Sequence, residues 1–133
     1  MKLCVKQQIF SFRDRFYVTD ETGAQVFYIE SEIFTFFKKF HIYAMTGEEV
    51  GYIEQRFSLI LPRLDIYIHG EHSASIQKQF TLFCHEYSVE GVNWYVSGDF
   101  FSHEYEITRS GAPVAHISKE WFTFGDCYTV EAL

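Results

Sequence analysis

Three short stretches of this chain share one pattern. Gly23-Ala-Gln-Val26-Phe-Tyr-Ile29, Gly47-Glu-Glu-Val50-Gly-Tyr-Ile53 and Gly111-Ala-Pro-Val114-Ala-His-Ile117 all read GxxVxxI. Each follows a strand-like stretch: Phe16-Tyr-Val-Thr, Phe40-His-Ile-Tyr and Tyr105-Glu-Ile-Thr. A tight hairpin needs a residue at positive φ, and glycine takes that conformation without steric cost. The spacing predicts a hairpin turn at Gly23, Gly47 and Gly111, with Val opening the returning strand. Asp20-Glu-Thr-Gly23 and Arg109-Ser-Gly111 fit loops of three to five residues. In a regular strand the Ile three places after Val falls on the opposite face. That points to a bulge, or to a strand covered on both sides.

Alternation runs between the repeats. Leu64, Ile66 and Ile68 face one way, and Asp65, Tyr67 and His69 the other. Tyr105 and Ile107 alternate with Glu104, Glu106 and Thr108. A period of two marks strands with one buried face. No stretch holds a helical apolar pattern over ten residues. Aromatics make up 20% of the chain, Phe alone 15 residues, and proline occurs twice. Aromatic and β-branched side chains suit a pleated surface. About twelve short strands are predicted in an all-β antiparallel fold. Closure into a barrel is favoured because it removes exposed edges. No linker divides the sequence, so residues 1–133 read as one domain.

Charge and cysteine usage narrow the functions. The formal net charge is −7, which repels phosphate backbones and argues against nucleic acid as a partner. Cys4, Cys84 and Cys127 are odd in number and widely spaced, without a CxxC pair. They read as free thiols in a reducing compartment, with neither disulfide nor structural metal expected. The N-terminal Met1 to Gln8 has no signal-peptide core. The apolar run Leu59-Ile60-Leu61 stops at Pro62, far short of the ~20 residues of a membrane helix. A cytoplasmic, not membrane-spanning protein is expected.

Four segments in order, Tyr17-Val-Thr-Asp-Glu-Thr-Gly23, Trp94-Tyr-Val-Ser-Gly-Asp-Phe100, Tyr105 through Val114-Ala-His-Ile-Ser-Lys119, and Phe124-Gly-Asp-Cys-Tyr128-Thr-Val-Glu131, resemble the LURP-one-related proteins. These belong to the Tubby C-terminal-like superfamily, with the phospholipid scramblases. The resemblance spans nearly the whole chain and rests on structural motifs. It implies a twelve-stranded antiparallel barrel around a central apolar helix, without enzyme chemistry. It implies phospholipid or phosphoinositide contact for some relatives. The helix would follow Glu131, whereas this sequence stops at Leu133, so the resemblance implies an apolar lumen without it. No ligand residue carries over.

Several clusters were candidates for chemistry. His69-Gly-Glu-His72 has metal-compatible spacing but supplies two ligands, too few for zinc, and suits a hairpin turn. Cys84 and His85 are adjacent, so on a strand they point apart and cannot form a nucleophile–base pair. Asp99, His103 and Glu104 read as a solvated loop. Trp94, Phe100, Trp121, Phe122 and Phe124 read as core. No phosphate-cradling glycine loop is present, and no cofactor is expected. Phe34-Thr-Phe36-Phe37-Lys38-Lys39-Phe40 is the most unusual segment. Aromatics beside paired lysines suit either a membrane-surface element or a core strand with charged gatekeepers. Phe36, Lys38 and Lys39, extended by Arg56, Arg63 and Lys78, form the candidate ligand-binding set.

Two readings follow. The first is a non-enzymatic binding or scaffold domain for a phospholipid or a protein partner, with homo-oligomerisation as one way to fill the barrel. The second is a small enzyme with a site in the barrel mouth. The polar groups that point into the barrel discriminate between them.

Overall fold

A computed structural model describes residues 1–8, 15–32, 37–57, 61–81, 84–99, 103–122 and 125–133. Among these residues the chain forms twelve strands: β1 (Lys2–Gln7), β2 (Arg15–Thr19), β3 (Gln25–Ser31), β4 (Lys39–Ala44), β5 (Glu49–Arg56), β6 (Arg63–Ile68), β7 (Glu71–Lys78), β8 (Cys84–Glu90), β9 (Trp94–Asp99), β10 (Glu104–Arg109), β11 (Ala112–Phe122) and β12 (Gly125–Ala132). Each strand pairs antiparallel with its sequence neighbours, and β1 pairs with β12 to close the barrel. The all-β fold expected from alternation is the fold observed.

Register assigns the two faces. Val18 lies opposite Phe27, Ile29 opposite Ile42, Ile53 opposite Ile66, Ile76 opposite Val89, Val96 opposite Ile107, and Ile117 opposite Val130. Directly opposed residues share a face, so one wall of the closed sheet is largely apolar. That wall lines the lumen. The other carries Tyr17, Tyr28, His41, Tyr52 and Tyr67 among carboxylates and arginines.

The repeat has a common structural meaning. Gly23, Gly47 and Gly111 all sit in hairpin turns at φ of 85°, 92° and 82°. The ladder slips one residue in each returning strand, between Gln25 and Phe27, Glu49 and Gly51, and Pro113 and Ala115. The extra residue is Val26, Val50 or Val114. The valine of GxxVxxI is therefore a bulge, and it restores Ile29, Ile53 and Ile117 to the lumen. A fourth copy lies at Gly70-Glu-His-Ser73-Ala-Ser-Ile76. Gly70 has φ 81°, and the ladder slips between His72 and Ala74. Serine replaces valine there, which hides the unit from a pattern built on Val.

The turns fall into two kinds. Gly23 and Gly47 end three-residue loops with matching backbone bonds: Gly23 N–H to Asp20 and Gly47 N–H to Ala44, at 3.1 and 2.9 Å. Asp20 also accepts from the Thr22 and Ala24 amides. Gly70 and Gly111 follow His69 (φ 49°) and Ser110 (φ 51°). Two successive positive φ values make the two-residue turn that matches strand twist. The three- to five-residue loop expected at Arg109-Ser-Gly111 is thus a two-residue one.

A second correction concerns the cysteines. Cys4 of β1 and Cys127 of β12 form a disulfide across the closing seam, with Cα atoms 6.4 Å apart. They are 123 residues apart in sequence, and only closure of the barrel makes them neighbours. Spacing therefore carried no sign of the pair, and the reading as free thiols fails for these two.

No Cβ placed on Gly23, Gly47 or Gly111 would meet a neighbour within 4 Å. Replacing any one by Ala is expected to lower stability by about 1 kcal/mol through backbone conformation alone, measurable by urea unfolding. Gly98→Ala is expected to lose more, because the added methyl would run into the Tyr105 ring. Thiol titration in denaturant without reductant is expected to find one thiol per chain, that of Cys84. A reading of three would remove the disulfide.

Candidate functional site

A groove of about 430 Å³ follows the apolar wall. Its lining is Leu64, Ile66, Ile76, Tyr87, Val89, Trp94, Val96, Ile107 and Ile117. These come from six consecutive strands, β6 to β11, which only the concave side of a barrel can bring together. The volume lies within the range of small-molecule pockets. Tyr87 is the one titratable side chain of the lining.

One end of this lumen is basic and aromatic. Tyr87 stands opposite Lys78, Tyr105 opposite Gly98, and Tyr128 opposite Lys119. The Tyr105 ring occupies the space over Gly98 where a side chain would stand. The Lys119 ammonium sits 5.7 Å from the Tyr128 ring centroid. Burial raises the Tyr105 pKa, nearby Tyr87 and Tyr128 add to that, and Lys119 opposes it. Tyr87, Tyr105, Tyr128 and Lys119 thus converge inside the barrel, with Lys78 on the same wall.

The candidate set from the sequence gathers at this end, on two faces. Lys38 is exposed just before β4, and Lys39 opens β4. Arg56 ends β5 opposite Arg63, which opens β6, and Lys78 ends β7. Lys39, Arg56 and Arg63 are on the outer wall, and Lys78 is on the lumen wall. The outer three stand beside acids: Lys39 is 3.9 Å from Glu32, Arg56 is 2.7 Å from Glu54 and 3.3 Å from Asp65, and Arg63 is 3.5 Å from Asp65 and 3.6 Å from Glu90. Phe34, Phe36, Phe100 and Phe124 lie outside the described residues.

Asp65 is the hub of that network. It is buried, accepts a 2.6 Å bond from the Ser75 hydroxyl, and has His72 at 3.6 Å. Burial works against its charge, but Ser75, Arg63 and Arg56 together hold its carboxyl below the usual range. His72 turns to Ser75 at 2.9 Å, and His69 to Glu48 at 3.9 Å. The HxxH spacing therefore forms a turn whose histidines have separate partners. Cys84 opens β8 opposite Asp99, and His85 pairs with Gly98 in register.

The outer wall holds an aromatic file that the sequence did not announce. Tyr28 stacks on Tyr43 at 5.0 Å, His41 meets Tyr52 at 4.9 Å and Tyr52 meets Tyr67 at 5.8 Å with tilted rings, and Tyr67 meets His72 edge-on at 5.4 Å. These residues come from successive strands, so register alone aligns them. His41 is clasped on both sides: Nδ1 is 2.6 Å from Glu49 and Nε2 is 2.9 Å from Glu32. Carboxylates only accept, so both ring nitrogens must donate, and the ring is an imidazolium. Partial burial works against that charge, but the two carboxylate bonds outweigh it and raise the His41 pKa. Burial and the bond to Glu54 push Tyr52 up to about 12.

Comparison with known proteins agrees with this architecture. The model of the LURP-one-related family matches residues 1–132. The chain belongs to the LURP-one-related family. Uncharacterized protein YxjI of Bacillus subtilis (strain 168) is 28% identical over 131 residues, which cover 98% of this chain and 81% of that protein. The X-ray structure of a protein from Arabidopsis thaliana matches with a TM-score of 0.67 at 13% identity. It covers 98% of this chain and 80% of its own. At that identity the likeness is one of fold. Among the described residues no helix of this LURP-one-related chain is long and apolar enough to cross a membrane.

The His41 clasp fixes a sign for pH dependence. The raised pKa means that the clasp's contribution is fully present below the ordinary histidine value near 6.5 and is lost as pH rises through the folded-state value. The melting temperature is expected to fall from pH 6 to pH 8.5, and His41→Gln to flatten that slope. An unchanged slope in His41→Gln would assign the effect to another group.

Proposed function

We propose that this LURP-one-related chain is a non-enzymatic binding domain for an anionic amphiphile, the lipid class of ligand. The apolar tail occupies the lumen, and the head group meets Lys78, Lys119 and the tyrosine hydroxyls at its mouth. The lumen lining carries this reading: nine residues from six strands, eight of them without a titratable group. The titratable groups of that wall, Lys78, Tyr87, Tyr105, Tyr128 and Lys119, gather at one end of it, where a head group would meet them.

Energetics favour an occupied groove. The groove is open to solvent, so an acyl tail laid along its apolar lining gains roughly 25 cal/mol per Å² of apolar surface removed from water. Head-group lysines work best as point charges for carboxylate or phosphate. Lys38, Lys39, Arg56 and Arg63 ring the outside of the same mouth. Together these four form the surface that would face the membrane or carrier that supplies the ligand.

Trp94 in the lining supplies a fluorescence signal. Dodecanoate is expected to change the tryptophan emission and to bind about tenfold more tightly than dodecanol, a difference of ~1.4 kcal/mol for one charged contact. Lys78→Met with Lys119→Met should erase that preference while leaving dodecanol binding unchanged. Native mass spectrometry of detergent-free protein should show a co-purified apolar acid. No binding of either probe, with the fold intact by circular dichroism, would refute the proposal.

A further inference from the structure

A second recess lies on the opposite wall of the barrel, outside the lumen. It is a cleft of about 390 Å³ bounded by His41, Glu49, Tyr52, Glu54, Tyr67 and His69. Its floor is the Tyr52–Tyr67 pair, with centroids 5.8 Å apart and rings tilted by 40°. Its rim is the turn in which His69 holds a left-handed backbone at φ 49°.

The charges around His41 can be paired off. From the β3 side come Glu30 and Glu32, from its own strand Lys39 and Tyr43, and from β5 Glu49, Tyr52 and Glu54, with Tyr67 beyond. Glu30 is bonded to Arg15, Glu32 lies beside Lys39, and Glu54 is bonded to Arg56. Those three carboxylates each have a permanent cation. Glu49 has His41, at 2.6 Å. When His41 gives up its proton, the cleft keeps an unbalanced carboxylate in the same lining as the Tyr52–Tyr67 pair.

We propose that this cleft is a receptor for a guanidinium group, which takes the Glu49 carboxylate as His41 releases its proton to solvent. A planar guanidinium stacks on aromatic rings and donates two parallel bonds to one carboxylate. The splayed tyrosines supply the first contact and Glu49 the second. Because one proton leaves as the cation enters, affinity rises with pH across the titration of His41. This site is independent of the lumen, and an arginine on a protein or a free arginine would present the same group.

The test is a titration of the intact protein with N-acetyl-arginine amide, followed by NMR at pH 6 and pH 8. Shifts are expected at His41, Tyr52, Tyr67 and His69, with affinity higher at pH 8 than at pH 6, rising by up to about tenfold per pH unit for one displaced proton. The neutral citrulline analogue should bind at neither pH. His41→Gln should remove the pH dependence, and Glu49→Gln should weaken binding at pH 8 while leaving the lumen probe unaffected. Equal affinity for free L-arginine would identify a small-molecule ligand, and preference for the capped form a protein-borne arginine. Equal binding of citrulline, pH-independent affinity in the native protein, or shifts confined to other surfaces would overturn the proposal.

Discussion

The pairing of β1 with β12 is the contact on which the rest of this barrel depends. Every other ladder joins strands that follow one another in sequence. Such hairpins are marginal alone, because an open sheet leaves unpaired edges and an uncovered apolar face. Five residues of β1 pair with five of β12, Lys2 with Glu131 through Lys6 with Cys127. The Cys4–Cys127 bond fastens the same seam. Once closed, the sheet has no edge among its described strands, and its apolar wall has an inside.

Closure also separates two chemistries that alternate along each strand. The lumen receives Ile29, Ile53, Ile76 and Ile117, while their neighbours Tyr28, Tyr52, Ser75 and His116 go outward. The lumen wall is suited to an apolar body with one charged end. The outer wall is a file of rings and carboxylates whose balance hangs on His41. The two candidate sites are separate because each uses one face of the same strands.

Much of the fold was legible in the residues themselves. Alternation at Leu64–Ile68 and Tyr105–Thr108 marked strands, and glycines at 23, 47 and 111 marked turns, because both signals are local. The fourth repeat was not, since Ser73 stands where the pattern had valine and His69-Gly-Glu-His72 drew attention as chemistry instead. The disulfide and the aromatic file depend on register and closure between distant strands, which no local pattern encodes. The sequence offered Lys38, Lys39, Arg56, Arg63 and Lys78 as one set only on condition that the fold gathered them, and their common barrel end follows from strand termini that topology alone supplies. Which face each takes was not legible either, since that depends on the phase of each strand.

The four bulges have a consequence in counting. Side chains on a strand obey a parity rule: a shift of one residue turns every later side chain inside out. At Val26, Val50, Ser73 and Val114 the ladder already carries one unpaired residue, so parity is suspended there and resumes beyond it. Loss of that single residue would leave Phe27, Gly51, Ala74 and Ala115 on the faces they now occupy. These are the places where sequences of this barrel can change length by one and keep their inside and outside. The same deletion a few residues further along would exchange lumen for surface.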